Sequence, residues 1–405
     1  MKFAIFYCFS FLALLASSLF NLEIFKSFLW ALIFSTLIVL VLKIVKSNLV
    51  SYLLFFSISV TSALGLTKVL TGTHAGGTSP MLYGLSFYTA SLAYLHAIDK
   101  VKLSSVWKVA NPLLVFTGPI ALFVKDITKS NTRRRISYFL PFILVGIFYF
   151  QIVGAPLFAY MFMINITDVV SAFVFATIFE IFVYANFCGL SLMVYGLTGV
   201  FGYKIPLNFK QPFTSSNLIN FWKGWHTSLS AVLKTLFYKQ FRSRFGLIGA
   251  LLAVYISSAV WHGVSINFLL WGLFHAAAFY ATVVISRSNI PFKSWLNIFL
   301  MIFAIIFGRL LFADSNTSRL FEKLSFNYID FDIFNLLLDS SLSSQIALLL
   351  GLFLIGIEFI FQKNKLVSKR TYKHLRLPLS QLFIAILFIL LVMDVGGDFA
   401  IYGQR

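Results

Sequence analysis

The sequence predicts an all-α, polytopic integral membrane protein built as a single membrane domain over residues 1–405. Three observations carry this. The 405 residues are 60% hydrophobic and only 11% charged, where soluble domains carry about 25% charged residues. Apolar runs of about 17 to 25 residues recur along the whole chain, each long enough to cross a roughly 30 Å hydrocarbon layer as a helix. The basic residues behind the net charge of +19 sit in short connections between those runs, which is the positive-inside pattern. Nucleic-acid binding would need a basic face on a soluble module, and none is legible.

Reading along the chain gives about 11 transmembrane helices, near 3–20, 24–42, 49–66, 81–98, 137–155, 173–200, 246–262, 266–286, 294–313, 345–361 and 378–393. Lys2 followed by an apolar run mimics a secretory signal, but the many later runs make it a retained first helix. Lys43 and Lys46 place the end of the second helix in the cytoplasm, and with it the N-terminus. Asp99, Lys100 and Lys102 mark the next cytoplasmic connection. The stretch 106–124 has basic residues on both sides and carries Pro112, Gly118 and Pro119. These interrupt helical hydrogen bonding, so it is expected to be a re-entrant segment covered by protein. Lys204, Lys210, Arg242, Arg244, Arg287 and Lys293 continue the alternation on the inside, as does the basic cluster from Lys363 to Arg376. Five of the thirteen acidic residues fall between Asp314 and Asp339, a loop expected outside, and the C-terminus follows it to the outside. Cys8 and Cys188 both lie in apolar runs, where they read as buried small side chains rather than a disulfide or metal site.

Two stretches stand out from the oil: "NFWKGWHTSLS" at 220–230 and "SAVWHG" at 258–263. Over 212–240, Leu218, Phe221, Trp222, Trp225, Leu229, Val232, Leu233 and Leu236 recur at helical spacing, opposite Lys223, His226, Thr227, Ser230 and Lys234. This predicts an amphipathic helix on the cytoplasmic side. His226 then reads either as an ordinary interfacial residue or as part of a site. Tyr255, Ser258 and His262 are spaced i, i+3 and i+7 and share a helical face. A histidine inside an apolar run is a functional candidate by default, against the alternative of a packed ring satisfied by a carbonyl. His275 is a weaker candidate of the same kind. Glu180, Tyr184, Cys188, Ser191 and Tyr195 form a polar seam, in which Glu180 is expected to pair with a buried cation such as Arg309. His74 and His374 fall in loops and are expected to be solvated.

The two histidine stretches, followed by "LLWGLFHAAAFY" at 269–280, resemble the core of the membrane-bound O-acyltransferases (MBOAT). In the same order come "FTGPI" at 116–120, "FGYKIPLNFKQPF" at 201–213, "GRLLFADS" at 308–315 and the terminal "DFAIYGQR". The nearest branch is that of alginate O-acetyltransferases and D-alanyl-lipoteichoic-acid acyltransferases. The resemblance divides the chain into divergent N-terminal helices, 1–105, and an MBOAT-like catalytic core, 106–405. One segment departs from the pattern: where the family has "FDFSGYSD" this chain has "ANFCGLSL" at 185–192, so Asn186 and Leu192 replace aspartates.

The resemblance implies transfer of an acyl group, acetyl first and D-alanyl second, from a cytoplasmic thioester donor to a hydroxyl of an extracytoplasmic surface polysaccharide or peptidoglycan. The donor is acetyl-coenzyme A or an acyl carrier protein, and no cofactor or metal is expected to be bound. It also implies a bacterial inner-membrane location, surrounding lipid, and an extracytoplasmic partner protein that completes transfer. By position His262 corresponds to the catalytic histidine and His226 to its companion. Tyr255, Ser258, Trp261, Asn220, His275 and Asn186 are expected in support, with Lys223, Lys234, Trp222 and Trp225 toward the donor. An imidazole, with an ordinary pKa of about 6.5, can take a proton from an attacking hydroxyl, and exclusion of water protects the thioester. The rival from another class is a glycan or lipid transporter without covalent chemistry; the absence of internal repeats counts against it.

Overall fold

The computed structural model describes residues 33, 36–45, 47–64, 80–102, 117–127, 131–161, 164, 166, 168–313 and 340–363. Among them the chain forms helices α1 (Asn48–Ala63), α2 (Pro80–Ala97), α3 (Thr132–Met161), α4 (Val169–Val200), α5 (Leu218–Gly224), α6 (Thr227–His262), α7 (Ile266–Arg287), α8 (Lys293–Ala313) and α9 (Leu342–Lys363). Two-residue strands β1 (Lys125–Asp126) and β2 (Tyr203–Lys204) pair antiparallel, with Lys125 opposite Lys204. Within the described residues six helices are long and apolar enough to cross a membrane: α3, α4, α6, α7, α8 and the Leu342–Phe359 part of α9. Helices expected at 3–20 and 378–393, most of 24–42, the first part of the re-entrant stretch, the acidic loop, the C-terminus, Cys8, His74 and His374 lie outside the described residues.

α4 is the central element. It packs along α3 and also against α8 and α9. Its start is fixed by a capping box: Asp168 Oδ1 accepts from the amides of Val170 (2.6 Å) and Ser171 (3.2 Å), while the Asp168 amide donates to Ser171 Oγ (3.0 Å). At its other end Arg135 Nε donates to the Val200 carbonyl at 3.1 Å, satisfying an orphan helix-terminal acceptor with a cation. That cap corrects one expectation. The helix expected over 137–155 starts earlier, at Thr132, where Asn131 Oδ1 accepts from the Arg134 amide at 2.9 Å. The Arg133–Arg135 run is therefore the first turn of α3 rather than a loop. A π-helical turn over Phe148–Gly154 carries the helix on to Met161.

The single amphipathic helix expected over 212–240 does not form. A 3₁₀ turn (Pro212–Thr214) leads to α5, which ends at Trp225 in extended backbone; His226 then takes φ 44°, ψ 56°, and α6 begins at Thr227. The apolar stripe is real, but it is divided between α5 and the first arm of α6, which diverge at His226. Trp225 is buried against Tyr184, Phe209 and Phe221 rather than lying at a membrane surface.

α6 is itself bent. A straight 36-residue helix would run about 54 Å, but Gly246 has φ 68° and ψ −163°, a conformation essentially confined to glycine. The chain turns there, and Trp261 near the end of α6 joins one apolar cluster with Leu229, Val232, Leu236 and Phe237 near its beginning. The second arm, 247–262, is the helix expected at 246–262. The same cluster holds Phe55 of α1 and Phe87 of α2.

Candidate functional site

The bend in α6 brings the neighbourhoods of His226 and His262 together. Phe87 lies between them, its ring centroid 6.0 Å from that of His226 and 5.2 Å from that of Trp261, and Trp261 is 4.9 Å from His262. Both imidazoles are half-buried, whereas His275 is 2% exposed. Of the three, His275 is therefore the most fully packed.

His226 is held by its backbone. Asn208, buried at 1% exposure, is the hub: its Oδ1 accepts from Ser228 Oγ at 2.6 Å and from the Ser228 amide at 3.3 Å, and its carbonyl accepts from the Thr227 amide at 2.9 Å. Asn208 Nδ2 donates to the Thr117 carbonyl and to Ser191 Oγ at 3.3 Å. One side chain thus ties the loop before Gly118, helix α4 and the start of α6 into a frame around His226. The left-handed φ is a conformation that a histidine tolerates better than most residues. Its ring faces Phe87, Phe187 and Phe209 at 6.0 to 6.4 Å, and Nδ1 is buried without a hydrogen-bond partner among the described residues. A buried polar atom left unpaired in this way is uncommon.

Gly118 closes the other side. Its φ is +87°, and a Cβ there would stand 2.5 Å from His226 Cε1. This stretch is the described end of the expected re-entrant segment, and Pro119–Phe123 forms a 3₁₀ turn with Ile120 fully buried. Gly118→Ala is expected to displace the imidazole and cut activity at least about 10-fold, at a strain cost of roughly 1–3 kcal/mol. Side-by-side activity and thermal-unfolding measurements on the purified variant check this.

His262 ends α6, and its ring meets Trp261, Phe268 (6.0 Å), Trp271 (5.8 Å) and Phe312 (5.0 Å). Tyr255 does share its helix, but Tyr255 packs on Trp222, Trp271 and His275; Ser258 is buried on the same helix. His275 follows the packed alternative: Nδ1 donates to the Trp271 carbonyl at 3.0 Å, and the ring lies against Gly308. Asn186 is buried on α4 beside Gly154 of α3.

The residues expected toward the donor divide. Trp222 and Trp225 belong to the aromatic core. Lys223 lines an open cavity of about 340 Å³ with Lys210, Thr214, Ser215, Ser216, Asn220 and Gly224. Asn220 Oδ1 accepts from Lys223 Nζ at 3.4 Å, so Asn220 supports that cavity rather than a histidine. Lys234 is exposed on α6 outside it. The lining has two cations, three hydroxyls, an amide and no acid, a composition suited to an anion.

Glu180 pairs with Arg309 Nε, as expected. Residues that the sequence reading missed include Asn208, inside "FGYKIPLNFKQPF", and Glu358, a lone acid in the apolar run of α9. Glu358 Oε1 accepts from Tyr184 at 2.5 Å and Tyr149 at 3.3 Å. Polarity amid apolar neighbours was the available signal for both. His96 was also passed over; it is a structural tie, donating from Nε2 to the Val45 carbonyl (2.7 Å) and accepting at Nδ1 from Ser51 Oγ (2.7 Å).

Comparison with known proteins decides the family. A family model described as MBOAT, membrane-bound O-acyltransferase family, matches residues 109–313, half of the chain, and spans the Asn208 hub and both half-buried histidines. The chain belongs to the membrane-bound O-acyltransferase family. It is a multi-pass membrane protein, as that family and the six apolar helices together require. Among relatives of this MBOAT protein, a teichoic acid D-alanyltransferase of Bacillus subtilis is 26% identical over 205 residues, 45% of this chain and 51% of that protein. A probable alginate O-acetylase, AlgI, of Pseudomonas syringae pv. tomato is 27% identical over 141 residues, 33% of this chain and 27% of its own length. A peptidoglycan O-acetyltransferase of Helicobacter pylori is 32% identical over 99 residues, 24% of this chain and 19% of its own. The alignments thus span about half or less of these curated relatives.

Proposed function

We propose that this MBOAT protein is an O-acyltransferase of the bacterial inner membrane. It moves an acetyl group from a cytoplasmic thioester donor to hydroxyls of an extracytoplasmic polysaccharide or peptidoglycan. The observation that carries this reading is the pair of partly buried imidazoles, His226 and His262, joined through the ring contacts of Phe87 and Trp261.

His262 accepts the proton of the acceptor hydroxyl as its oxygen attacks the thioester carbonyl. The tetrahedral intermediate then collapses, the C–S bond breaks, and the proton passes from the imidazolium to the departing thiolate, leaving an ester and a free thiol. His226 orients the donor or offers its ring N–H to the developing oxyanion. The aromatic walls keep water from competing with the hydroxyl. Ser258 and Tyr255 support the His262 helix. Lys223, with Lys210 across the same cavity, attracts the phosphate-bearing carrier of the thioester, whether coenzyme A or a carrier protein. The Lys210→Gln/Lys223→Gln variant is expected to raise the donor KM about 10-fold with kcat little changed, since it removes attraction outside the reacting centre. Steady-state kinetics at varied donor concentration check this.

Transfer to the polymer is completed with a separate extracytoplasmic protein. The N-terminus is cytoplasmic and the C-terminus extracytoplasmic, as the charge pattern indicates. The test uses membranes containing the full chain, given acetyl-coenzyme A labelled in the acetyl group together with surface glycan. Label is expected as an alkali-labile ester on the polymer; label that stays on the thioester would overturn the proposal. A second reading, D-alanyl transfer to a teichoic-acid-like polymer, is favoured by the Bacillus subtilis alignment, which covers more of this chain than the other two. Mass spectrometry of surface polymers from a deletion strain separates the two by the mass of the missing group.

A further inference from the structure

Arg309 takes no part in the chemistry above, yet its side chain is only 10% exposed and it sits between the supports of both histidines. Its Nε donates to Glu180 Oε2 across the α4–α8 interface. Its guanidinium carbon stands 5.4 Å from the ring centroid of Trp225, 5.6 Å from Phe312 and 5.8 Å from Phe179. Trp225 is the residue before His226, at the point where the backbone leaves α5 and turns left-handed. Phe312 lies edge-on to the His262 ring at 5.0 Å. One cation therefore touches the immediate support of each imidazole.

Stability alone is a weak reason for such a pair. Removing two charges from water costs several kcal/mol per ion, and well-packed apolar replacements of a buried pair are often neutral or stabilising. Ionisable groups inside a membrane domain usually mark function. The planar guanidinium can lie against several aromatic faces while a carboxylate fixes its orientation, which an ammonium cannot reproduce.

We propose that Arg309 is a positioning residue: anchored by Glu180, its guanidinium holds Trp225 and Phe312 and through them sets the separation and tilt of His226 and His262. The proposal rests on the acyl-transfer reading for its kinetic consequence but not for its geometry. The geometry predicts that loss of the flat cation disturbs both imidazoles together, while His96, tied to Ser51 and Val45, stays as it is.

The test compares wild type with Arg309→Lys and with Glu180→Gln/Arg309→Met, in which no charge is left unpaired. Thermal unfolding in detergent, donor KM, kcat and NMR of histidine labelled with ¹³C at Cε1 are measured for each. Single histidine variants assign the signals. Both variants are expected to unfold near the wild-type temperature. Their kcat is expected to fall about 10- to 100-fold with donor KM within about threefold, and the His226 and His262 signals to shift while that of His96 does not. A folded variant with wild-type kcat and unmoved His226 and His262 signals overturns the proposal. If the double variant fails to fold, Arg309→Lys decides by the same criteria. Should wild type transfer no acyl group, the acyl-transfer reading falls, and the two histidine signals alone judge the role of Arg309.

Discussion

His262→Ala is expected to abolish acyl transfer, by at least about 100-fold, where the range of a general base's contribution begins, while the protein still inserts and accumulates. The separation of the two effects follows from where the ring sits. His262 is the last residue of α6, followed by Gly263, and it is half-buried against Trp261, Phe268, Trp271 and Phe312. Four aromatic rings around it survive the substitution, and the helix has no further turn to lose. Transfer of labelled acetyl groups, alongside yield and unfolding temperature, reads the two quantities independently. A variant that still transfers at more than about a tenth of the wild-type rate removes His262 as the base, since proton transfer alone should contribute more than this.

Gly246→Val has a different and broader expected effect. The bend in α6 depends on φ 68° with ψ −163° at that residue, and a β-branched side chain opposes it with both its Cβ and its restricted χ1. The strain is about 1–3 kcal/mol for the backbone alone. A chain that relieves it by straightening pulls Trp261 away from Leu229, Val232, Leu236 and Phe237, and with it His262 from the neighbourhood of His226. Transfer is therefore expected to fall about 100-fold, with a lowered unfolding temperature; Gly246→Ala should be milder in both. A Gly246→Val protein with wild-type activity and stability would mean that the bend is not what unites the two histidines.

The sequence and the structure agree where one physical signal dominates. Long apolar runs fixed α4, α7, α8 and α9 within a few residues, because a helix that must cross hydrocarbon has its length set by the layer. The second arm of α6 was legible as the run expected at 246–262, whereas Arg242 and Arg244, read as part of a connection, are helical and the bend falls at Gly246. The segment 212–240 misled for a specific reason: periodicity reports which residues face inward but not whether the backbone stays helical between them. The chain turns at His226, where Asn208, outside the periodic stretch, accepts hydrogen bonds from Thr227 and Ser228 and so holds the start of α6. The histidines themselves were visible as chemistry, whereas their frame was not. Asn208 and Glu358 act through contacts across 17 to 209 positions, and no local pattern encodes a partner at that remove; the Glu180–Arg309 pair was legible because lone opposite charges in apolar runs need each other. That Trp222 and Trp225 pack in the aromatic core was hidden for the same reason, since an aromatic at an apparent interface and one in a core read alike in one dimension.

Residues 48–97 lie upstream of the stretch that defines the family, 109–313, yet Phe55 and Phe87 pack on Trp261, Phe87 on His226, and Ser59 donates to the Trp261 carbonyl at 3.0 Å. Trimming the protein to its family-matched portion would therefore remove the packing of Phe55, Ser59 and Phe87 against Trp261 and His226. The shortest fragment that keeps both imidazoles sheltered has to begin before Asn48. It follows that a part of the chain outside the family-matched stretch walls both histidines, so substitutions at Phe55 or Phe87 can reshape their surroundings without touching either ring.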